Sequence, residues 1–130
     1  MSAVVLDSHV LHWWTVDSRR VSRAATEAIT SADELFISDI SWWELAWLAT
    51  HERISVTLPI GSWLSQLAAQ VRTVPITPAI ALAAAALPST FPGDPADRLI
   101  YATALETGRQ LVTKDERLRA YRAPRAVTLW

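Results

Sequence analysis

Four acidic residues that are far apart in the sequence could form one chemical site. They are Asp7, Glu44, Asp97 and Asp115. Clustered carboxylates repel one another, so bringing them together makes sense only when a hard divalent cation such as Mg²⁺ or Mn²⁺ neutralises them. We therefore treat the four as candidate metal ligands and candidate catalytic residues.

Each of these carboxylates also has a structural interpretation. Glu44 lies three residues after Ser41, which is the spacing of a capping box at the start of a helix. Asp97 would be favoured in the first turn of a helix by the helix dipole, and Asp115 could cap the last helix. Asp7 is harder to explain in this way, because a charge directly after a buried strand needs a partner or a cation.

A fifth acid, Asp94, precedes Pro95. Proline is well suited to the first position of a helix, and aspartate is well suited to the N-cap before it. We therefore expect Asp94 to be a helix cap rather than a fifth catalytic acid.

The hydrophobic pattern predicts strands that alternate with helices along the chain. The predicted strands cover residues 3–6, 35–38, 74–77, 110–113 and 127–130. The predicted helices cover residues 10–14, 18–30 with Ser18 as cap, 42–51 after a Ser41 cap, 60–71, 78–87, 95–107 and 115–121. This alternation predicts an α/β fold, a three-layer sandwich with a mostly parallel central sheet and helices on both faces.

The predicted elements place all four acids at one edge of that sheet. Asp7 ends the first strand, and Asp115 lies just past the fourth. Glu44 is in the first turn of the helix after the second strand, and Asp97 is in the first turn of the helix before the fourth. Because open parallel sheets bind ligands outside the carboxyl ends of their strands, this edge is the expected site.

Length and composition predict a single domain over residues 1–130. Hydrophobic residues make up 51% of the 130 residues and charged residues 19%, which is enough apolar material for one core. The absence of cysteine excludes disulfides and thiolate chemistry. The first residues lack the pattern of a signal peptide, and the apolar stretch 76–87 is too short to cross a bilayer. We expect a cytoplasmic protein without a membrane segment.

Several other polar residues lie close to the predicted site. Ser8 and Thr113 could hydrogen-bond a ligand carboxylate or a metal-bound water, although Thr113 could equally be an ordinary strand residue. His9 and His12 could share a helix face, but carboxylates suit Mg²⁺ better, and we expect both to be structural or surface residues. For Arg98 we expect a salt bridge within its helix rather than a contact with phosphate.

Four segments of the sequence resemble the four blocks of PIN-domain proteins, and more narrowly those of VapC-type toxins from bacterial toxin–antitoxin pairs. The segments occur in the family's order and extend over nearly the whole chain. They read VLDSHVLHWW (5–14), ISWWELAWL (40–48), GDPADRLIYATAL (93–105) and LVTKDERL (111–118).

The resemblance implies a PIN fold whose acidic site binds Mg²⁺ or Mn²⁺ and cleaves single-stranded or looped RNA. By position, Asp7, Glu44, Asp97 and Asp115 match the acidic quartet of the family, with Asp7 and Asp97 as the principal metal ligands. Asp94 matches a frequent but less essential acid. The resemblance also implies hydrolysis that leaves a 5′-phosphate and a 3′-hydroxyl, and a VapB-like antitoxin that inserts a segment across the site.

Seven tryptophans in 130 residues are unusual. The neighbours Trp13 and Trp14, and likewise Trp42 and Trp43, point to different sides of a helix, so they cannot all face one core. We hypothesise an exposed aromatic surface that serves a homodimer or binds an antitoxin segment.

The charge distribution gives a weaker indication. The net charge is −1, so no overall positive field marks a nucleic-acid partner. A local surplus of basic residues near the carboxyl end could contact phosphates, although a solvated helix face explains it as well. These residues are Arg109, Lys114, Arg117, Arg119, Arg122 and Arg125.

Three other functions fit the sequence less well. A receiver-like phosphorylation switch has the same size and a late lysine like Lys114, but it needs a pair of acids after the first strand and an isolated aspartate after a middle strand. A phosphatase of the haloacid dehalogenase type needs a second acid at His9. A non-catalytic RNA-binding module leaves four acids unexplained, since carboxylates repel phosphates unless a metal intervenes.

Overall fold

A five-stranded sheet runs through the centre of the protein, and all of its strands are parallel. The computed structural model describes residues 2–122 and 125–130. The strands are β1 (Ala3–Leu6), β2 (Glu34–Ser38), β3 (Arg72–Val74), β4 (Gln110–Val112) and β5 (Thr128–Leu129). Their order across the sheet is β3-β2-β1-β4-β5. The chain changes direction across the sheet between β1 and β4, which is the kind of position where α/β sheets bind ligands.

Seven α-helices cover the two faces of the sheet in the described part of the chain. They are α1 (Ser8–Val16), α2 (Arg23–Ser31), α3 (Asp39–Thr50), α4 (Ile60–Ala68), α5 (Pro78–Ala86), α6 (Pro95–Thr107) and α7 (Glu116–Ala120). Successive residues of a strand face opposite sides of a sheet. Val4 and Leu6 accordingly pack with residues of α1 to α4, whereas Val5 packs with residues of α6 and α7. The predicted three-layer α/β architecture is confirmed.

Helix α6 follows its prediction closely. It begins at Pro95 after the N-cap Asp94 and ends at Thr107, where Gly108 adopts a positive φ of 67°. A left-handed residue of this kind is the usual end of a helix and favours glycine. Within the described residues, no helix is long and apolar enough to cross a membrane.

The starts of the first three helices differ from the prediction by two residues or more. Helix α1 begins at Ser8 rather than residue 10, because Asp7 already serves as its N-cap. Helix α2 is capped by Ser22 rather than Ser18, and residues 18–20 form a short 3-10 turn instead. The Ser22 hydroxyl accepts a hydrogen bond from the Ala25 N–H at 3.1 Å.

The predicted Ser41 cap of the third helix is wrong. Helix α3 begins at Asp39, directly after β2, and its N-cap is Ser38. Ser41 is buried inside the helix. The capping-box interpretation of Glu44 is therefore wrong as well, since Glu44 lies in the second turn and not at N3.

The third strand is shorter and earlier than predicted, at residues 72–74 rather than 74–77. Pro75 follows it, and a proline has no N–H to donate to the neighbouring strand. Helix α4 correspondingly ends at Ala68 rather than residue 71, which leaves room for the chain to enter the strand.

Candidate active site

An open cleft of about 510 Å³ lies at the carboxyl edge of the sheet, beside the ends of β1 and β4. All four candidate acids line it, together with the fifth acid of the Asp-Pro block and two cations. The lining residues are Asp7, His9, Val10, Trp13, Glu44, Asp94, Asp97, Lys114, Asp115 and Arg117. The structure thus brings together acids that are up to 108 positions apart in the sequence.

Asp7 is held at the end of β1 by hydrogen bonds to both of its carboxylate oxygens. Its Oδ1 accepts from the Ser8 N–H at 2.7 Å, and its Oδ2 accepts from the Thr113 hydroxyl at 2.7 Å. Burial raises the pKa of Asp7, and these two hydrogen bonds offset only part of that effect. The hydrogen bonds therefore fix the position of the carboxylate, while burial still disfavours its ionised form.

Glu44 reaches the same cleft from the second turn of α3. Its Oε1 accepts a hydrogen bond from the Ser8 hydroxyl at 2.7 Å. Burial is the main cause that raises the pKa of Glu44 to about 7; the Ser8 bond opposes it, and the charges of Asp7 and Asp97 add to it. Of the partners that the sequence left open for the Ser8 and Thr113 hydroxyls, the structure shows the carboxylates of Glu44 and Asp7.

Asp97 and Asp94 form a reciprocal capping box at the start of α6. The Asp94 carboxylate accepts from the Asp97 N–H at 2.9 Å, and the Asp97 carboxylate accepts from the Asp94 N–H at 3.1 Å. Asp94 is thus the helix cap that the sequence predicted. Burial raises the pKa of Asp97 to about 6, aided by the charges of Asp94 and Asp7.

Gly93 contacts Asp97 closely, and sequence reasoning did not single it out. A Cβ atom at position 93 would collide with the Cβ of Asp97 and lie 2.9 Å from the Phe91 ring. Only a residue without a side chain fits here unless Asp97 moves. In the sequence, the only sign of a role for Gly93 is its position next to the Asp-Pro pair. Its close contact with Asp97 is visible only in the structure.

Asp115 differs from the other acids because it already has a cation. It caps α7 by accepting from the N–H groups of Arg117 and Leu118 at 2.9 and 3.4 Å. The Arg117 guanidinium also donates to it at 3.0 Å and lies 3.9 Å from Asp97. Burial would raise the pKa of Asp115, but the bonds from Arg117 and the helix N–H groups outweigh it and lower the pKa.

The donor chemistry of the cleft fits a hard divalent cation. Its acids offer only carboxylate oxygens, and Mg²⁺ and Mn²⁺ prefer oxygen ligands. In residues 2–122 and 125–130, however, no three His, Cys, Asp or Glu side chains are yet grouped so that they could hold an ion. Asp115 is bound to Arg117 instead, so ligation of an ion by Asp115 would have to displace this ion pair.

Three nearby residues can be compared with their predictions. Arg98 forms no salt bridge within its helix. Its guanidinium instead donates to the carbonyls of Ala84, Leu87 and Pro88 at 3.3, 2.9 and 3.0 Å, so it caps the end of α5. His12 is buried, with its ring 5.8 Å from Trp63, and His9 is exposed at the cleft, as expected for structural and surface histidines.

The basic residues of the carboxyl-terminal region do not form one patch. Lys114 and Arg117 line the acidic cleft. Arg109 lies at the opposite edge of the sheet, with its guanidinium 3.9 Å from the centre of the Phe36 ring. Arg119 and Arg122 line a separate depression beside Trp130. Of these six basic residues, Lys114 and Arg117 are the two found among the described residues that line the candidate site.

The tryptophans divide between core and surface. Trp63 is 6% exposed, whereas Trp43 is 60% exposed on α3, with Trp47 of the same helix 38% exposed. Trp13 is partly buried beside the cleft. An exposed aromatic surface is thus present on α3, and its use in a dimer or in antitoxin binding stays a prediction.

The family model of the PIN domain matches residues 4–124. The chain is a PIN-domain protein. Its sequence is 62% identical, over the full length of both chains, to "Ribonuclease VapC22" from Mycobacterium tuberculosis.

Solved structures show the same fold as this PIN-domain protein at low sequence identity. A "Toxin-antitoxin complex from Klebsiella pneumoniae" is 19% identical with a TM-score of 0.69, covering 98% of this chain and 96% of that chain. "VapBC2 from Rickettsia felis", bound to a promoter DNA fragment, is 12% identical with a TM-score of 0.71, covering 98% and 97%. "VapBC-5" from Mycobacterium tuberculosis is 17% identical with a TM-score of 0.64, covering 99% and 97%.

Proposed function

We propose that this PIN-domain protein is a Mg²⁺- or Mn²⁺-dependent endoribonuclease and the toxin of a VapBC-type toxin–antitoxin pair. The observation that carries the proposal is that Asp7, Glu44, Asp97 and Asp115 line one cleft at the point where the strand order reverses. The full-length similarity to a VapC ribonuclease supports the same activity.

Within this proposal, Asp7 and Asp97 are the principal metal ligands, and Glu44 and Asp115 complete the site. A divalent cation bound there would lower the pKa of a bound water and offset charge on the scissile phosphate. Thr113 and Ser8 act as positioning residues, since their hydroxyls fix the orientation of Asp7 and Glu44.

Arg117 has a second role in the proposal. In the structure its guanidinium lies between Asp115 and Asp97 and offsets part of their charge. Metal ligation by Asp115 would compete with this ion pair. A guanidinium released at the mouth of the cleft is well suited to bind a phosphate of the RNA.

The proposal includes a protein partner and a homodimer. Solved relatives of the same fold are described as toxin–antitoxin complexes, which supports a VapB-like antitoxin as the partner of this chain. The exposed Trp43 and Trp47 on α3 provide an apolar surface for one of these two associations.

The test compares RNA cleavage by the parent chain and by Asp7→Asn, each with Mg²⁺ and with EDTA. We expect the parent to cleave RNA only with the metal and the variant to be inactive, because Asn removes a ligand charge while keeping its shape. Glu34→Gln is the matched control, since Glu34 lies at the opposite edge of the sheet. Equal cleavage by the parent and Asp7→Asn, or cleavage unaffected by EDTA, would refute the assignment.

A further inference from the structure

Trp13, on α1, lies where two cavities of the surface meet. The acidic cleft is on one side of it. The other cavity, of about 540 Å³, shares His9 and Trp13 with the cleft and is also lined by Arg20 and Arg53. The indole therefore stands between a region rich in carboxylates and a groove with two guanidinium groups.

Cations surround the Trp13 ring. The Arg20 guanidinium lies 4.7 Å from the ring centre, and the Lys114 ammonium lies 5.6 Å from it. The His9 ring is 5.7 Å away. Arg20 and Lys114 are exposed, and neither forms a salt bridge with the residues that the structure describes. Each can leave the ring to bind another group without breaking an ion pair.

The second groove adds positive charge with little to neutralise it. Arg53 is exposed, and its guanidinium lies 5.8 Å from the centre of the Trp47 ring. Asp17, the one acid of this groove, is hydrogen-bonded to Arg19 at 3.0 Å. Arg20 and Arg53 are thus left to bind an anionic ligand.

An aromatic ring beside a positively charged groove fits single-stranded nucleic acid. Bases stack on aromatic side chains, and cations bind the phosphates between them. We propose that Trp13 stacks an unpaired base of the RNA next to the scissile phosphate, and that Arg20 and Arg53 bind the adjoining backbone phosphates. This subsite rests on the proposed ribonuclease function of the neighbouring cleft.

The exposed tryptophans of α3 do not have this arrangement. Trp47 is stacked against His51, with ring centres 4.1 Å apart, and it does not line the cleft. Trp13 alone among the described tryptophans lines both cavities. Trp43, 60% exposed on α3, lines neither cavity and therefore supplies a control substitution.

The test measures RNA binding rather than cleavage, in a chain that carries Asp7→Asn so that the RNA stays intact. The probes are a labelled unstructured RNA and a base-free ribose–phosphate oligomer of the same length, followed by fluorescence anisotropy in Mg²⁺. We expect Trp13→Leu to weaken RNA binding about tenfold and to leave the base-free oligomer unaffected, because only the base stacks. Trp13→Phe keeps most of the affinity, and Trp43→Leu changes nothing.

The cations give a second, independent readout. Arg20→Gln together with Arg53→Gln should weaken both probes and reduce the slope of log affinity against log salt by roughly 0.7 for each phosphate that the arginines no longer bind. Both side chains are exposed, so these substitutions leave the core intact even if Trp13→Leu fails to fold.

The proposal is overturned if folded Trp13→Leu binds the RNA as tightly as its parent, or weakens binding of both probes equally. It is also overturned if the arginine pair leaves affinity and salt slope unchanged. Loss of binding to a VapB-like chain with unchanged RNA affinity would assign the surface to a protein instead. If the chain binds RNA through Trp13 but never cleaves it, the stacking subsite stands and the ribonuclease proposal fails.

Discussion

The charged side chains at the amino edge of the sheet can be compared with those at its carboxyl edge. At the amino edge, Arg72 and Glu34 form a salt bridge of 2.8 Å. Arg109 covers the Phe36 ring there, and Asp33 accepts a hydrogen bond from the Ser2 N–H at 3.1 Å. At the carboxyl edge, five carboxylates face one cleft that Lys114 and Arg117 also line.

Charged residues at the amino edge have partners within the folded chain and support the structure, whereas the acids at the carboxyl edge form the candidate site. Pairing opposite charges near water contributes little but costs little. Crowding like charges raises pKa values and is unfavourable for the folded protein unless a ligand compensates. Under the proposed function, a cation would stabilise the carboxyl edge and not the amino edge, so substitutions at the two edges should have opposite consequences.

The largest effect is expected for Thr113→Val. The valine keeps the shape but removes the hydroxyl that orients Asp7, and removing such a supporting hydrogen bond typically costs roughly 10- to 100-fold in metal affinity or activity. Thr113→Ser keeps a hydroxyl and should retain most of the metal affinity and activity. Thr103→Val is the control, because its buried hydroxyl bonds the Leu99 carbonyl instead. Metal titration and RNA cleavage are the measurements, and equal activity of Thr113→Val and Thr103→Val would contradict the positioning role.

A somewhat smaller effect is expected for Gly93→Ala. The added Cβ must displace Asp97, so we expect about tenfold weaker metal binding, as for other misplaced ligands. Gly61→Ala is the matched control, since nothing lies within 4 Å of a Cβ there. It should keep full activity and raise the free energy of unfolding by about 0.5–1 kcal/mol, because alanine favours a helix. If both variants bind metal like the parent, the close approach of Gly93 to Asp97 has no functional role.

A pH effect that distinguishes the two edges is expected in EDTA. The folded-state pKa of Glu44 is about 7 against an ordinary value of 4.5. The folded protein therefore binds the proton more tightly, and its free energy of unfolding should rise as the pH falls from about 8 toward 5. Glu44→Gln should lack the part of this gain that Glu44 contributes, so its stability advantage over the parent is largest at high pH and shrinks below the folded-state pKa of Glu44.

For Glu34→Gln at the amino edge, the free energy of unfolding should change with pH in the same way as that of the parent over this range. Denaturant unfolding at several pH values measures both differences. A stability difference between Glu44→Gln and the parent that does not change with pH would show that burial and like charge do not disfavour the Glu44 carboxylate.

The smallest effects concern stability alone. Arg98→Met removes three hydrogen bonds from a charged group to carbonyls at the end of α5, and we expect a loss of about 1.5–3 kcal/mol. Arg72→Met breaks the exposed pair with Glu34 and should cost about 0–1 kcal/mol. Denaturant unfolding compares the two. A larger loss for Arg72→Met would show that the amino edge contributes more than an exposed salt bridge.

Much of the fold was predictable because its signals are local. The β1 run ending in Asp7 and the Asp94-Pro95 start of α6 carry their own boundaries in the sequence. The strand after α4 lies earlier than predicted because Pro75 ends its pairing with the neighbouring strand, although the apolar pattern continues to Ile76. The α3 start was misplaced because Ser38 and Ser41 both suit an N-cap, and only the tertiary position of β2 chooses between them.

The acids of the cleft were predictable as a set, whereas their partners were mostly not. Topology alone brings Asp7 and Asp115 to the ends of β1 and β4. Three contacts depend on how side chains of different elements pack. They are the position of Arg117 between Asp115 and Asp97, the close approach of Gly93 to Asp97, and the hydrogen bonds of Arg98 to the end of α5. Hydrogen bonds from Ser8 and Thr113 were foreseen because those residues adjoin the strand ends.

Stabilisation by Mn²⁺ would show whether the carboxyl edge of the sheet binds a divalent cation. The free energy of unfolding is measured with EDTA and with excess Mn²⁺ for the parent, Asp7→Asn and Glu34→Gln. We expect Mn²⁺ to stabilise the parent and Glu34→Gln by about 2–3 kcal/mol at roughly a hundredfold excess over its dissociation constant, and to stabilise Asp7→Asn far less. Equal stabilisation of all three chains, or of none, would show that the cluster of carboxylates is not a cation site.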